Sequence, residues 1–449
     1  MKAEVPLVRA VGLGSLTAVV VNGTIGAGIF VLPAAVARLV GPAGPYAYLL
    51  AGFAVFLVVL CFAEAGGRFD RSGGPFLYAG AAFGDLTGFL AGWMFLLSRV
   101  AGVAAVSNGF AAYAGFFWPA AASGAPRFRA LTALFALLTV VSLIGIRQNV
   151  WVMNLLTAAK LLPLAAFVAL GFSTIDSRLF AGPAGLGGAD LRGAALMLLF
   201  AFSGFEYATV PGDELINPRR NLPIALISGI SIVSVCYLMV HIVAQGNAPN
   251  LGADDTPVAT VAKAFLGPAG AGLITLGALL SMAGNCSSSL LAASRMLYAL
   301  AKDGPLPDVI ARVHARFRTP WVAVSVFSLL SWAMAVSGTF AYLAVMASIG
   351  RLFFFSVTCA AVLVLRRKAP DPGQHFTVPG GPLIPLAAIA LCIWLLTGVP
   401  SSQVKAGLAA LVTGALLYAV SLSGAKLSPR RSASSRRRER DGRRGDIQR

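Results

Sequence analysis

The chain is poor in charged residues, histidine and cysteine. Only 12% of its 449 residues are Asp, Glu, Lys or Arg, about half the share found in an ordinary soluble domain. Its three histidines are scattered, and its five cysteines lie singly in apolar segments, so we expect neither disulfides nor a metal site. The sequence contains no His-Glu-x-x-His and no Walker-type loop, so we also expect neither an enzyme nor a cofactor.

Long hydrophobic runs dominate the chain instead. Hydrophobic residues make up 57% of the sequence, and the mean hydropathy is +0.80. Runs of about 20 residues are long enough to cross ~30 Å of hydrocarbon. They predict an all-α integral membrane protein over residues 1–425 with twelve spans, at about 10–39, 45–66, 85–117, 130–146, 150–171, 193–215, 223–245, 270–301, 320–338, 341–365, 383–399 and 404–422.

The net charge of +18 is explained by membrane topology, so no nucleic-acid partner is expected. With the N-terminus inside, fourteen Lys and Arg residues before the tail fall in cytoplasmic segments and seven in the opposite loops. This bias predicts a multi-pass protein of the plasma (inner) membrane with both termini cytoplasmic. The tail 426–449 holds ten basic residues against three acids. We expect it to be disordered, either simply solvated or attracted to anionic membrane lipid.

The first span carries an interruption at Gly23, Gly26 and Gly28. Glycine costs about 1 kcal/mol relative to alanine inside a helix, so three glycines within six residues predict a break. Broken backbone at membrane depth is tolerated only where it faces protein or a cavity. We therefore expect a binding site made of main chain, with close helix packing as the alternative explanation.

The sixth span is interrupted in a corresponding way, between Phe200 and Tyr207, by Gly204 and Glu206. The sixth span comes five spans after the first, and an odd offset reverses direction, so the broken helices should run antiparallel as members of an inverted repeat. Corresponding interruptions in two halves point to a transporter site.

The helix ends at these breaks predict the substrate. The outer half of the first span begins near Gly28 and points its N-terminus at the midplane, which suits a carboxylate. Carbonyls freed at the two breaks suit an ammonium group, and both charges together describe an L-amino acid. Such a site needs no charged side chain, so we expect a neutral substrate, with a cationic amino acid or polyamine, suggested by Glu206, as the alternative. The predicted substrate-binding residues are Thr24, Ile25, Gly26, Ala27, Gly28, Phe202, Ser203, Gly204 and Phe205, with Ser107, Asn108 and Asn285 as possible pocket contacts.

Four motifs in order carry a family resemblance. They are Gly23 to Phe30; Ala63 to Arg68 with Ser72 to Pro75; Phe202 to Glu206 with Glu214 and Asn217 to Pro223; and Ala292 to Arg295 with Ala301 to Gly304. Through them the chain resembles the amino acid/polyamine/organocation superfamily of permeases over most of its length. The resemblance implies the five-plus-five inverted-repeat fold of the bacterial leucine transporter. The repeats would cover about 10–172 and 193–366, followed by two extra helices at about 383–422. It also implies solute uptake or exchange; a non-transporting sensor or channel on the same fold is the rival interpretation.

The resemblance also suggests how transport is driven. Asn154 to Pro163 is similar to the fifth-span motif of proton-coupled members, in which a lysine stands where sodium-driven relatives bind their ion. Lys160, together with Glu206, is therefore assigned to coupling, and transport is expected to be proton-coupled and sodium-independent. A buried lysine can release a proton because desolvation disfavours its charged form, although a permanently charged structural lysine is the alternative.

Four further ionisable residues lie inside apolar segments. Arg295 lies near the cytoplasmic end of its span and is expected to snorkel to the interface. We expect Arg99 and Arg351 to pair with acids in the bundle, because an unpaired charge in a membrane is costly. We expect Glu64 to form an interfacial ion pair or a helix cap.

Overall fold

The computed structural model describes residues 11–69, 73–144, 150–180, 188–210, 215–302, 306–317, 319–368 and 376–425. Several features discussed above lie outside these residues. They are the tail 426–449, the motif residues Ser72, Glu214, Asp303 and Gly304, the basic residues Lys2, Arg9, Arg71, Arg147 and Arg318, and the side chains of residues 154–158.

Within the described ranges the chain forms fourteen α-helices joined by short 3₁₀ turns and loops. They are α1 (Leu13–Thr24), α2 (Gly28–Val40), α3 (Gly44–Gly67), α4 (Pro75–Phe83), α5 (Asp85–Ala114), α6 (Gly124–Ile144), α7 (Val150–Gly171), α8 (Gly188–Ala201), α9 (Pro218–Gly246), α10 (Pro257–Lys302), α11 (Trp321–Ser337), α12 (Phe340–Lys368), α13 (Leu383–Leu396) and α14 (Ser401–Ala425).

Many of these helices can cross a membrane. Seven helical stretches in the described part of the chain are long and apolar enough to do so, counting α2 and α3 as one stretch, and five shorter apolar helices accompany them. The expectation of an all-helical, multi-pass membrane protein is therefore confirmed. The number of twelve spans and the inverted repeat remain predictions.

Helix α5 lies at the centre of the bundle and packs against α4, α10, α11 and α12. Within the most apolar 18-residue stretch of α5, 83% of the residues are buried, compared with 11% in the corresponding stretch of α14. A helix that is apolar on all sides can be enclosed by neighbours on all sides. Its position lets α5 contribute side chains to any site in the middle of the bundle.

An ion-pair cluster ties the C-terminal ends of α3 and α12 together. Glu64 is fully buried and pairs with Arg68 at 3.0 Å and with Arg366 at 2.5 Å. Its carboxylate also accepts the backbone N–H of Val378 at 2.8 Å. This arrangement agrees with the ion-pair interpretation of Glu64. The two arginines neutralise its carboxylate at the end of the bundle that we predict to be cytoplasmic.

Two helices differ in extent from the hydrophobic runs. Helix α10 begins at Pro257, well before the run that starts at 270, because a kink at Gly267 joins a preceding helical segment to the span. Gly267 has φ +69°, which glycine tolerates without a steric penalty. Helix α8 ends at Ala201, in the middle of the sixth hydrophobic run, and this early end forms part of the site described next.

Candidate functional site

The first hydrophobic run is broken where its glycines predict. Helix α1 ends at Thr24, Ile25 is extended (φ −74°, ψ 93°), and α2 begins at Gly28. By helix geometry the first amides of α2 have no acceptor within their own helix. Gly28 also permits close packing, because a Cβ there would lie 2.5 Å from the Cβ of Ala201. The break and the close approach are thus both present at this position.

Lys160 of α7 caps the end of α1. Its side chain is 1% exposed, and its Nζ donates to the carbonyl oxygens of Ile25 at 2.9 Å and Asn22 at 3.3 Å. In the described part of the chain no carboxylate lies within ion-pair distance of this ammonium. Lys160 is therefore a buried cation held by main-chain oxygens freed at the break.

Side chains of α9 and α10 also donate hydrogen bonds to carbonyls at the end of α1. One of them, Tyr237, is fully buried and also donates to the carbonyl of Ala201 at 3.0 Å, so it joins the two broken helices. The donors are Tyr237 to Thr24 (2.9 Å), Ser281 to Ile25 (3.0 Å) and Asn285 to Gly23 (2.8 Å). Because buried carbonyls need partners, these contacts stabilise the non-helical conformation.

The second break lies directly against the first. Helix α8 ends at Ala201, and a 3₁₀ turn over Phe205–Thr209 follows. Between them Gly204 has φ +125°, and the position of a Cβ there falls on the backbone of Gly23. Only glycine permits both this dihedral and this contact. Within the described part of the chain the carbonyls of Phe202 and Ser203 accept no hydrogen bond.

Glu206 is buried and already paired. Its Oε1 lies 2.8 Å from Nη2 of Arg99, and its Oε2 accepts the backbone N–H of Gly204 at 2.7 Å. Arg99 also donates to the hydroxyl of Tyr207 at 2.7 Å, and that hydroxyl hydrogen-bonds to Ser289. The charge of Glu206 is therefore neutralised by α5, as expected for Arg99.

Arg351 of α12 differs from this pattern. It is 1% exposed, and its Nε and Nη1 make no hydrogen bond to the described residues. Its guanidinium carbon lies 5.2 Å from the centre of the Phe200 ring. The pairing with an acid that the sequence predicted for Arg351 is not seen among the described residues.

A small cavity lies between the two breaks. It is about 20 Å³ in volume, which is room for about one water molecule. Among the predicted residues it is lined by Thr24, Gly26, Ala27, Gly28, Ser203 and Asn285. Arg99, Tyr207, Ser289 and Arg351 complete its polar wall. The helix breaks, their capping side chains and two arginines thus converge on one small space.

The other predicted residues do not line this cavity. Ile25 and Gly204 take part through their backbones only. The ring of Phe202 packs on Tyr237, and that of Phe205 packs on Phe62. Two residues on α5 are also directed elsewhere: Ser107 bonds to Val103 (2.8 Å), and Asn108 bonds to Ala335 (3.0 Å) and Arg127.

A larger cavity of about 600 Å³ lies along α2 beyond the central one. Gly28 faces the central cavity, whereas Val31, Ala35 and Arg38 face the larger one, so one face of α2 lines both cavities. Asn108 lies on the wall of this larger space. We call it the vestibule.

Sequence reasoning missed several side chains that build the site. Ser281 and Ser289 stand four residues before and after Asn285, so the three share one face of α10. That spacing could have identified both serines. Nothing in the sequence identified Tyr237, because a single tyrosine in an apolar helix is usually explained by side-chain packing.

A multi-pass helical protein with two apposed helix breaks around a buried polar cavity has the architecture of a membrane transporter. Comparison with known proteins gives the family. A family model described as amino acid permease matches residues 11–422. The chain belongs to the amino acid permease family.

Individual relatives differ in what they carry. The chain is 29% identical to the methylthioribose transporter of Bacillus subtilis (strain 168) over 92% of its length and 93% of that protein. It is equally similar, with the same coverage, to the branched-chain amino acid permease BcaP of that bacterium. Cationic amino acid transporter 4 of Mus musculus is 29% identical over 84% of this chain and 63% of its own length. These three relatives are all named as transporters or permeases, but the substrate differs from one to another.

Proposed function

We propose that the protein is a secondary transporter of L-amino acids that binds its substrate at the two facing helix breaks. The observation that carries this proposal is the contact of Gly204, at the second break, with Gly23 and Thr24, where α1 ends at the first break. Amides at the N-terminus of α2 would hold the α-carboxylate, because a helix N-terminus attracts anions. The free carbonyls of Phe202 and Ser203 would accept hydrogen bonds from the α-ammonium group.

Transport requires this site to open and close. A cavity of about 20 Å³ cannot hold an amino acid, so the site would have to widen before a substrate binds. Movement of one repeat against the other would open the site toward the vestibule or toward the opposite side in turn, as in alternating access. The face of α2 from Gly28 to Arg38 lines both the central cavity and the vestibule, which supports the vestibule as one of the two routes.

The topology belongs to the same proposal. If α1 and α2 form one broken pass and α4 does not cross, the helices make twelve passes, arranged as two inverted repeats over about 10–172 and 193–366 and two extra helices. Both termini, including the tail 426–449, would then be cytoplasmic in the plasma membrane. The meeting of the two breaks supports the repeat, because corresponding helices of inverted repeats meet at the substrate site.

We further propose that uptake is proton-coupled and sodium-independent, with Lys160 as the coupling group. Its ammonium contacts carbonyls at the end of α1, and carbonyls there are also the ligands that a sodium ion would use. A sodium ion at the same place would be repelled by the lysine. Movement of α1 away from α7 would release the lysine from these carbonyls and give it a route to exchange a proton.

A cationic amino acid or polyamine is the less favoured alternative. Cationic amino acid transporter 4 is a relative, and Glu206 lies at the second break. However, Arg99 and the N–H of Gly204 already occupy the carboxylate of Glu206. A cationic substrate would also have to approach Arg351.

The test is uptake into proteoliposomes of purified protein under imposed gradients. A panel of radiolabelled L-amino acids should be transported faster with an inward proton gradient and should not respond to sodium. Their α-amides and decarboxylated amines should compete poorly. Lys160→Ala should lose the response to the proton gradient, whereas Lys263→Ala, at an exposed lysine on the same protein, should keep it. Sodium-stimulated uptake, or an unchanged proton response in Lys160→Ala, would overturn the coupling proposal.

A further inference from the structure

Arg351 is a buried cation without an acidic partner in the described chain. The buried acids there are Glu64 and Glu206. Each is already paired, Glu64 with Arg366 at 2.5 Å and Glu206 with Arg99 at 2.8 Å. Guanidinium remains charged at physiological pH, and folded proteins rarely leave a buried charge uncompensated. The two arginines on the central cavity, Arg99 and Arg351, therefore face a single buried acid, Glu206, and among the described residues no acid balances the second arginine.

The free guanidinium faces the central cavity. Arg351 lines that cavity together with Gly102 of α5, and a Cβ at Gly102 would lie 3.0 Å from its Nη2. The ring of Phe200, 5.2 Å away, gives a cation–π contact that steadies the side chain. An aromatic face supplies no full negative charge, so the contact positions the guanidinium without neutralising it.

The distance from the proposed head-group site suits a second carboxylate. Ala27 packs beside Gly109 of α5, 3.2 Å from the position of a Cβ there, while Arg351 packs beside Gly102. Seven residues of helix separate these two levels by about 10 Å. Four carbon–carbon bonds place the two carboxyl carbons of an extended glutamate ~5 Å apart. A charge-assisted hydrogen bond of about 2.8 Å at each end then covers the remaining distance.

We propose that Arg351 determines specificity and that the substrate is an L-amino acid with a second carboxylate, of the size of aspartate or glutamate. This inference rests on the proposed amino acid transport. It proposes an acidic substrate in place of the neutral amino acid expected from the sequence, because the sequence did not reveal that Arg351 lies unpaired at the cavity. The competing explanation is that Arg351 binds the α-carboxylate common to all amino acids.

Transport in proteoliposomes separates these explanations. Wild-type protein should take up L-glutamate or L-aspartate at least about tenfold better than L-leucine or L-lysine, the discrimination expected for one buried charge pair. Arg351→Gln should lower uptake of the acidic substrate at least about tenfold and improve uptake of L-glutamine, its neutral isostere, relative to L-glutamate. Arg351→Lys should retain part of the acidic preference. Arg129→Gln, at an exposed arginine of α6 outside the cavity, should behave as wild type, and thermal unfolding of each variant confirms that it is folded.

Each other result overturns a different statement. If wild type prefers neutral or cationic amino acids, amino acid transport stands and the acidic assignment is wrong. If Arg351→Gln, still folded, loses acidic and neutral substrates equally, the arginine serves the shared head group and does not determine specificity. If no amino acid is transported while another solute is, the proposed function fails and this inference fails with it.

Discussion

Replacing Gly204 by alanine is the most direct perturbation of the contact between the two breaks. Gly204 has φ +125°, and the added methyl group would fall on the backbone of Gly23. A side chain in such a sparsely populated backbone region costs about 1–3 kcal/mol. If this strain falls on the binding-competent state, substrate affinity decreases about 5- to 150-fold. The added methyl group would also displace Gly23, which lowers the affinity further. We therefore expect a decrease in affinity near the upper end of this range.

The matched control lies on the same helix. Gly193 of α8 has no atom within 4 Å of the position of a Cβ, so Gly193→Ala should be neutral or stabilise the protein by about 0.5–1 kcal/mol. Affinity is measured by equilibrium binding of a radiolabelled L-amino acid to purified protein, and stability by thermal unfolding in the same detergent. Wild-type affinity and melting temperature in Gly204→Ala would refute the role assigned to this contact.

Two further substitutions test the polar contacts around the breaks. Tyr237→Phe should destabilise the protein by about 1–3 kcal/mol, because the carbonyls of Thr24 and Ala201 lose their shared donor; an unchanged thermal unfolding curve would argue against that bridge. Glu206→Gln should destabilise the protein by about 3–5 kcal/mol by leaving Arg99 unpaired. Adding Arg99→Met to the same chain should restore part of the melting temperature, and a double variant no more stable than the single one would contradict the pairing.

The breaks were predictable because they depend on local chemistry. Three glycines within six residues cannot favour a regular helix, and the structure ends α1 at Thr24 and begins α2 at Gly28. Lys160 was singled out through the family resemblance, and the structure places its Nζ on carbonyls of Asn22 and Ile25. The carbonyl held by Asn285 shows that a polar residue in an apolar span is a useful signal.

The directions of side chains beyond a break were not predictable. Phe202 and Phe205 flank Gly204, whose positive φ turns the chain, so sequence position does not tell which ring faces the cavity. Both turn away from it, toward Tyr237 and Phe62 respectively.

Contacts between helices distant in sequence were equally hidden. Asn108 is directed into the vestibule because Arg127 and the carbonyl of Ala335 bind it there. Arg351 remained unpaired because both buried acids of the described chain were taken by other arginines. Such competition depends on tertiary packing, which no local pattern encodes.

The binding site can be located by a structure of the protein with its best-transported L-amino acid bound. We expect the α-carboxylate to lie within about 3.2 Å of backbone amides between Gly26 and Gly28. The α-ammonium should lie at a similar distance from the carbonyls of Phe202 or Ser203. An amino acid found only in the vestibule, or bound through side chains with both breaks unoccupied, would contradict the proposed binding site.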